Sequence, residues 1–320
     1  MAPQPTAPGM PHAAAPGMPH AAAPAEAGIR PSLAELVALR AAVARIPPPR
    51  RGRHGLSGAA PSPMRGRGME YAESREYVAG DDVRHIDWRL TARSGRTHTK
   101  LFQAERERLS LIVADTAPSL YFGTRVRFKS VQAARAGAVA AWAAQRQGDR
   151  LAALRGSRSE APVPPASGPR GVLRVLDALT RWYAQPPQED AGLGMALDHA
   201  AKLLRPGSRL TVLADPASAQ AVPAARWAAL ALHNEVELLL LADPLEVQPP
   251  RAALPFWASG RRVEVDLLAS TAQQRWRAQF VQPLETLAAE LPGRGVQVRV
   301  LLSDAPSESW LLPVQRGATV

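Results

Sequence analysis

The chain has 320 residues, 46% of them hydrophobic, a formal net charge of +11 and no cysteine. That length and apolar share suffice for one large domain, or for a domain with a smaller module. The missing thiols exclude disulfides and thiolate metal sites, and fit a reducing compartment.

The positive charge points to nucleic acid or an anionic surface. Lysine, however, stands only at Lys100, Lys129 and Lys202, while arginine, alanine and proline, all with GC-rich codons, dominate together. Codon composition is the better account of the basicity. Aromatic residues make up 5% of the chain and are not interleaved with the arginines, as stacking on bases would require. A nucleic-acid role is therefore not expected. No apolar run reaches the length of a membrane span, and no basic start leads into an apolar stretch. The expectation is a cytoplasmic protein, peripheral at the inner membrane only through partners.

Residues 1–30 hold a tandem repeat, Ala7-Pro-Gly-Met-Pro-His-Ala-Ala14 followed by Ala15 to Ala22. Alanine, proline and glycine without apolar periodicity cannot build a core, so this segment reads as a disordered tail. Ser32 is placed to cap a helix in which Leu33, Leu36, Val37, Leu39 and Val43 keep helical spacing, and Pro47-Pro-Pro49 stops it. Residues 50–67 are basic and rich in Gly and Pro, as a loop would be.

The stretch Arg75 to Arg93 follows, in which Gly80-Asp81-Asp82 has turn chemistry and Val83, Ile86 and Trp88 alternate with Arg84, Asp87, Arg89 and Arg93. Acids and arginines this close can form bidentate pairs. The preferred reading is a partly buried network that fastens this region to the rest of the chain, with Trp88 in the core. The competing reading is an exposed partner surface.

Strands are expected at 97–104, at Leu109 to Ala114, at Arg150 to Arg155, at Arg209 to Ala214, at Val236 to Ala242, at 263–267 and at Val296 to Leu302. Helices are expected at 128–147, 171–183, 195–204, 219–233 and 271–291, with a Ser/Pro-rich loop at 156–170. This alternation calls for a doubly wound, mostly parallel α/β sheet. Three strands end in acids, Asp115, Asp215 and Asp243. In such sheets ligands bind beyond the carboxyl ends of the strands.

Arg75, Tyr77, Gly80, Asp81, Asp82, Arg84, Ile86, Asp87, Trp88, Ala92 and Arg93 resemble the signature of the domain-of-unknown-function family 58. The likeness extends to Gly66-Arg-Gly-Met-Glu70, Lys100 to Glu105, Asp115, Phe128-Lys-Ser130, Gly148-Asp149-Arg150 and Asp243-Pro-Leu-Glu246. The resemblance implies a von Willebrand factor A-like fold and a partnership with a MoxR-type AAA+ ATPase acting on a client protein. It implies no particular enzymatic activity.

That fold often holds a divalent cation on an Asp-x-Ser-x-Ser motif, a Thr from a later loop and a further Asp. Here the motif reads Asp115-Thr-Ala-Pro-Ser119, the loop reads Gly192-Leu-Gly-Met195, and Asp215 stands where the last acid would be. Only Asp115, Ser119 and Asp215 remain for Mg²⁺, a degenerate set for an ion that requires near-octahedral oxygen ligation. No cofactor is expected, with Mg²⁺ at this degenerate site as the one candidate. Enzyme signatures are missing as well. There is no P-loop, and His54-Gly-Leu-Ser57-Gly lacks the strand–elbow–helix setting of a nucleophile.

The sequence thus supports four segments. They are a tail at 1–30, an N-terminal helix and strand-containing signature module at 31–108, a von Willebrand A-like domain at 109–304, and a C-terminal tail at 305–320. The expected function is a non-enzymatic interaction adaptor. The rivals are a cation-dependent client-binding domain and an arginine-rich nucleic-acid binder.

Overall fold

Strands that are apolar along their whole length must be covered on both faces, and the apolar runs of this chain are. The structure, a computed structural model, describes residues 28–47, 69–104, 108–258 and 260–312. The expected tail and the Gly/Pro-rich loop with Gly66 lie outside these residues, apart from the last few residues of the tail.

In chain order the elements are α1 (Leu33–Arg45), β1 (Met69–Glu76), α2 (Trp88–Ser94), β2 (His98–Ala104), β3 (Leu109–Ala114), α3 (Lys129–Arg146), β4 (Arg150–Arg155), β5 (Val163–Ala166), α4 (Gly168–Tyr183) and α5 (Gly192–Leu203). Then come β6 (Arg209–Ala214), α6 (Pro216–Gln220), α7 (Ala224–Ala231), β7 (Glu235–Ala242), α8 (Pro244–Val247), β8 (Ala253–Ala258), β9 (Arg261–Asp266), α9 (Ser270–Trp276), α10 (Gln282–Glu290) and β10 (Val296–Leu302).

The main sheet has six strands in the order β10-β7-β6-β3-β4-β5. Every neighbouring pair is parallel except β4 with β5. Alternate residues of each strand feed two cores. Ile112, Ala114, Leu213, Leu239 and Leu241 face α1, α3 and α4. Leu111, Val113, Leu210, Val212, Leu238 and Leu240 face α5, α6, α7 and α10. The expected doubly wound α/β fold is present, with a separate antiparallel pair, β1 and β2, before it.

Several boundaries differ from the sequence expectation, each for a physical reason. The first helix, α1, belongs to the sheet domain and not to the signature module. Leu36 and Val43 are buried against α3 and α4, and the Trp142 indole N–H donates to the Leu36 carbonyl at 3.1 Å. This cover explains why α3, rich in alanine, is buried almost all round.

Residues 305–312 are likewise packed rather than a tail: Trp310 joins the core and Ser307 donates to Gln132 at 2.8 Å. The loop at 156–170 contains β5, a short edge strand with two prolines, which an edge tolerates because one side makes no ladder bonds. The helix expected at 219–233 is divided between α6 and α7, with Pro223 at the break. The helix expected at 271–291 carries a π turn at Arg277–Val281 just before Pro283, whose ring nitrogen has no hydrogen to donate. A hairpin of β8 and β9 replaces the single strand expected near 263. No helix among the described residues is long and apolar enough to cross a membrane.

Candidate functional site

The carboxyl ends of four adjacent parallel strands converge on one polar cluster. Asp115 follows β3, Asp215 follows β6, Asp243 follows β7 and Ser303 follows β10, and all four are buried. The Asp115 carboxylate accepts the Asp215 backbone N–H at 2.9 Å and the Ala117 N–H at 3.1 Å, so it ties two strand ends together. Its own backbone carbonyl accepts the Tyr183 hydroxyl at 2.8 Å. Asp215 caps α6 by accepting from Ala217 N–H at 3.0 Å.

Into this cluster the first residue of α3 sends a lysine. Lys129 is 1% exposed, and its Nζ lies 3.1 Å from Asp215 Oδ2 and 2.7 Å from Glu246 Oε1. Glu246 closes a capping box on α8, its other oxygen accepting the Asp243 N–H at 2.8 Å. Asp243 in turn accepts the Thr124 hydroxyl and backbone N–H, the Leu245 N–H and the Ser303 hydroxyl at 2.6 Å. Asp115, Asp215, Lys129, Glu246 and Asp243 thus form one connected chain of charges and hydrogen bonds.

Burial and bonding pull these acids apart electrostatically. Burial pushes the Asp115 carboxyl up to about 6, against the N–H groups of Asp215 and Ala117 and the Ser218 hydroxyl, which favour its ionised form. Burial also raises Glu246, with the Lys129 charge opposing it. Burial would raise Asp243 too, but donors from Ser303, Thr124 and Leu245 outweigh it and hold this carboxyl below its ordinary value.

Of the three residues named for a divalent cation, Asp115 and Asp215 stand together at adjacent strand ends with their oxygens engaged in hydrogen bonds. Ser119 is exposed. The Asp115 oxygens are directed to two backbone N–H groups and the Ser218 hydroxyl, and those of Asp215 to Ala217 N–H and the Lys129 ammonium. Gly192 starts α5 at φ 81°, and a Cβ on Gly156 would meet the Gly192 carbonyl oxygen at 2.2 Å, so only glycine at 156 lets α5 start there.

The signature module has a different character. Gly80, at φ 111°, makes the turn after β1. Arg75 pairs with Asp81 at 2.7 Å, and Asp81 also accepts the Val78 N–H at 3.0 Å. Tyr77 N–H donates to the Thr97 carbonyl at 2.8 Å, and Asp82 caps the next turn through Arg84 N–H at 3.0 Å. Asp87 caps α2 through Leu90 N–H at 3.1 Å and accepts the Ser74 hydroxyl at 3.1 Å, and the Leu90 bond leads the groups that lower its carboxyl.

The expected buried network with Trp88 in the core is not what forms. Trp88 is 70% exposed, Val83 60% and Val78 59%, while Arg84, Arg89 and Arg93 also face solvent. The reason is architectural. Two strands and two short turns make a single layer, and among the described residues Trp88 has no layer laid over it.

Lys129 and Glu246 are the residues whose role sequence reasoning misses, although both lie in stretches that carry the family likeness. A usable signal exists: in a chain with 39 basic residues, almost all arginine, a lysine at the start of an apolar helix is a marked choice.

Known proteins extend this picture. The protein called Uncharacterized protein Rv1480 of Mycobacterium tuberculosis (strain ATCC 25618 / H37Rv) is 33% identical over 189 residues, 58% of this chain and 58% of its own length. Uncharacterized protein Mb1516 of Mycobacterium bovis matches to the same extent. The chain therefore spans somewhat more than half the length of these curated relatives. Residues 73–289, which take in most of the signature module, the strand-end acids and Lys129, match the family described as Protein of unknown function DUF58, and the chain belongs to that family.

Proposed function

We propose that this protein is a non-enzymatic interaction adaptor that works with a MoxR-type AAA+ ATPase in the assembly or remodelling of a client complex. The observation that carries the reading is Trp88, 70% exposed at the start of α2. An indole in water contributes nothing to a core, while an exposed large aromatic among arginines in sequence is of the kind that anchors protein interfaces. Val78 and Val83, with Arg84, Arg89 and Arg93, are exposed in the same module, so apolar and cationic side chains are offered together. The rigid sheet supplies the scaffold, and ATP-driven motion belongs to the partner. The ATPase itself comes from what family resemblance implies.

The test is binding of the full chain to a MoxR-type ATPase from the same genome, by co-purification and biolayer interferometry. Wild type is expected to bind. Trp88→Ala and Arg84→Ala are expected to lose binding while keeping the wild-type melting temperature. Variants that bind like wild type would remove the signature module from the reading. A wild type that binds no such ATPase would remove the partner.

A further inference from the structure

We infer that Lys129 supplies, from within the chain, the cation that the strand-end carboxylates require, so that this face is built to work without a divalent metal. The inference stands on the geometry of the cluster and is independent of the adaptor reading.

Two carboxylates, Asp215 and Glu246, approach one point from different elements, and the Lys129 ammonium sits at that point. A third carboxylate, Asp115, is one backbone N–H away. Buried acids this close need a compensating positive charge, since desolvating an uncompensated carboxylate costs several kcal/mol, on the order of more than a single hydrogen bond returns. A free ion could provide it, but here the charge is covalently attached and 1% exposed.

The contacts of 2.7 and 3.1 Å are those of N–H donors, whereas Mg²⁺ would require oxygens drawn in to about 2.0–2.1 Å. Two hydroxyl oxygens beside the cluster in sequence, Thr116 Oγ1 and Ser130 Oγ, are buried without a protein hydrogen-bond partner among the described residues.

The consequence is specific. Cutting Lys129 back to alanine leaves two carboxylates facing a space the size of a propylammonium, and two carboxylates with water suffice for Mg²⁺ or Mn²⁺. The experiment is Mn²⁺ titration followed by electron paramagnetic resonance on the full chain, with melting curves in parallel. Wild type is expected to take up no Mn²⁺ at millimolar concentration and to melt identically in EDTA. Lys129→Ala is expected to take up one ion per chain at least about tenfold more tightly than wild type, and to regain part of its lost melting temperature. Lys129→Ala with Asp215→Asn is expected to take up none.

Should Lys129→Ala fold only when expressed with Mn²⁺, the inference holds. Should it not fold under either condition, Lys129→Ala with Glu246→Gln, which leaves one fewer unpaired acid, is read in the same way. Three results overturn the inference. One is Mn²⁺ uptake by wild type that disappears in Asp115→Asn. Another is a folded Lys129→Ala that ignores Mn²⁺. The last is failure of both variants to fold with Mn²⁺ present.

Discussion

At the strand ends Lys129 is 1% exposed between two buried carboxylates, whereas on the signature module Arg84 and Trp88 face water although acids flank both in sequence. The pairs at the strand ends are long-range, brought together by four strands and the helices between them. Those of the module are local, made within turns and caps by Asp81, Asp82 and Asp87. Closeness in sequence gives an acid and an arginine a partner, but only packed layers give them burial. The same residue types therefore carry stability in one region and surface chemistry in the other.

The sharpest way to test that division is Lys129→Ala. It strands two buried acids, and a loss of about 3–5 kcal/mol is expected from the denaturant midpoint. A loss typical of surface pairs would mean that the cluster is solvated and the contrast false.

Next comes pH. The Asp115 carboxyl is pushed up to about 6 in the fold, above its unfolded value, so the native state holds this proton longer. Its contribution is complete below the unfolded value near pH 4, and is lost as pH rises through about 6, worth up to about 3 kcal/mol. The advantage of wild type over Asp115→Asn should therefore shrink between pH 4 and pH 7, as read from paired denaturation curves at the two ends of that range. A constant gap would show that Asp115 is not protonated in the fold.

On the module the effects should be small. Arg75→Ala breaks a pair whose arginine side chain is 41% exposed, with an expected cost of about 0–1 kcal/mol by thermal denaturation. Trp88→Ala should change stability least, by about 0.5 kcal/mol or less, while abolishing partner binding. A large destabilisation by Trp88→Ala would mean that the indole is covered, and would erase the contrast from the module's side.

Much of the fold is legible in the sequence because its central strands are apolar runs and β10 alternates apolar with polar residues. Leu109 to Ala114, Arg209 to Ala214 and Val296 to Leu302 are found where the pattern places them. Edge elements are harder to read. The strand β5 contains Pro164 and Pro165, and β8 contains Pro255, so local signals argue against strand at both. The acids at the strand ends are visible because a buried run stops at each of them. Lys129 is not, because its partners are 86 and 117 residues away and nothing local announces them. The exposure of Trp88 is hidden for the opposite reason: its local pattern is that of a half-buried turn, and what decides is that no other described element packs over it.

The place of α1 has a mechanical consequence. This helix is part of the same core as β3, yet the signature module, 69–104, lies between them in the chain. The module is therefore an insertion, tethered at both ends to one body, and not an appendage on a single leash. Closing such a loop costs little more as it lengthens, only about 0.6 kcal/mol per doubling, so the insertion is compatible with the stability of the core. A partner that pulls on the module loads two anchors at once. One is α1, held by the Arg135–Glu35 pair and by the Trp142 hydrogen bond. The other is β3, held between β4 and β6 in the middle of the sheet. Traction that peels α1 from α3 would uncover an alanine-rich helix face while leaving the central strands paired, a first step short of unfolding.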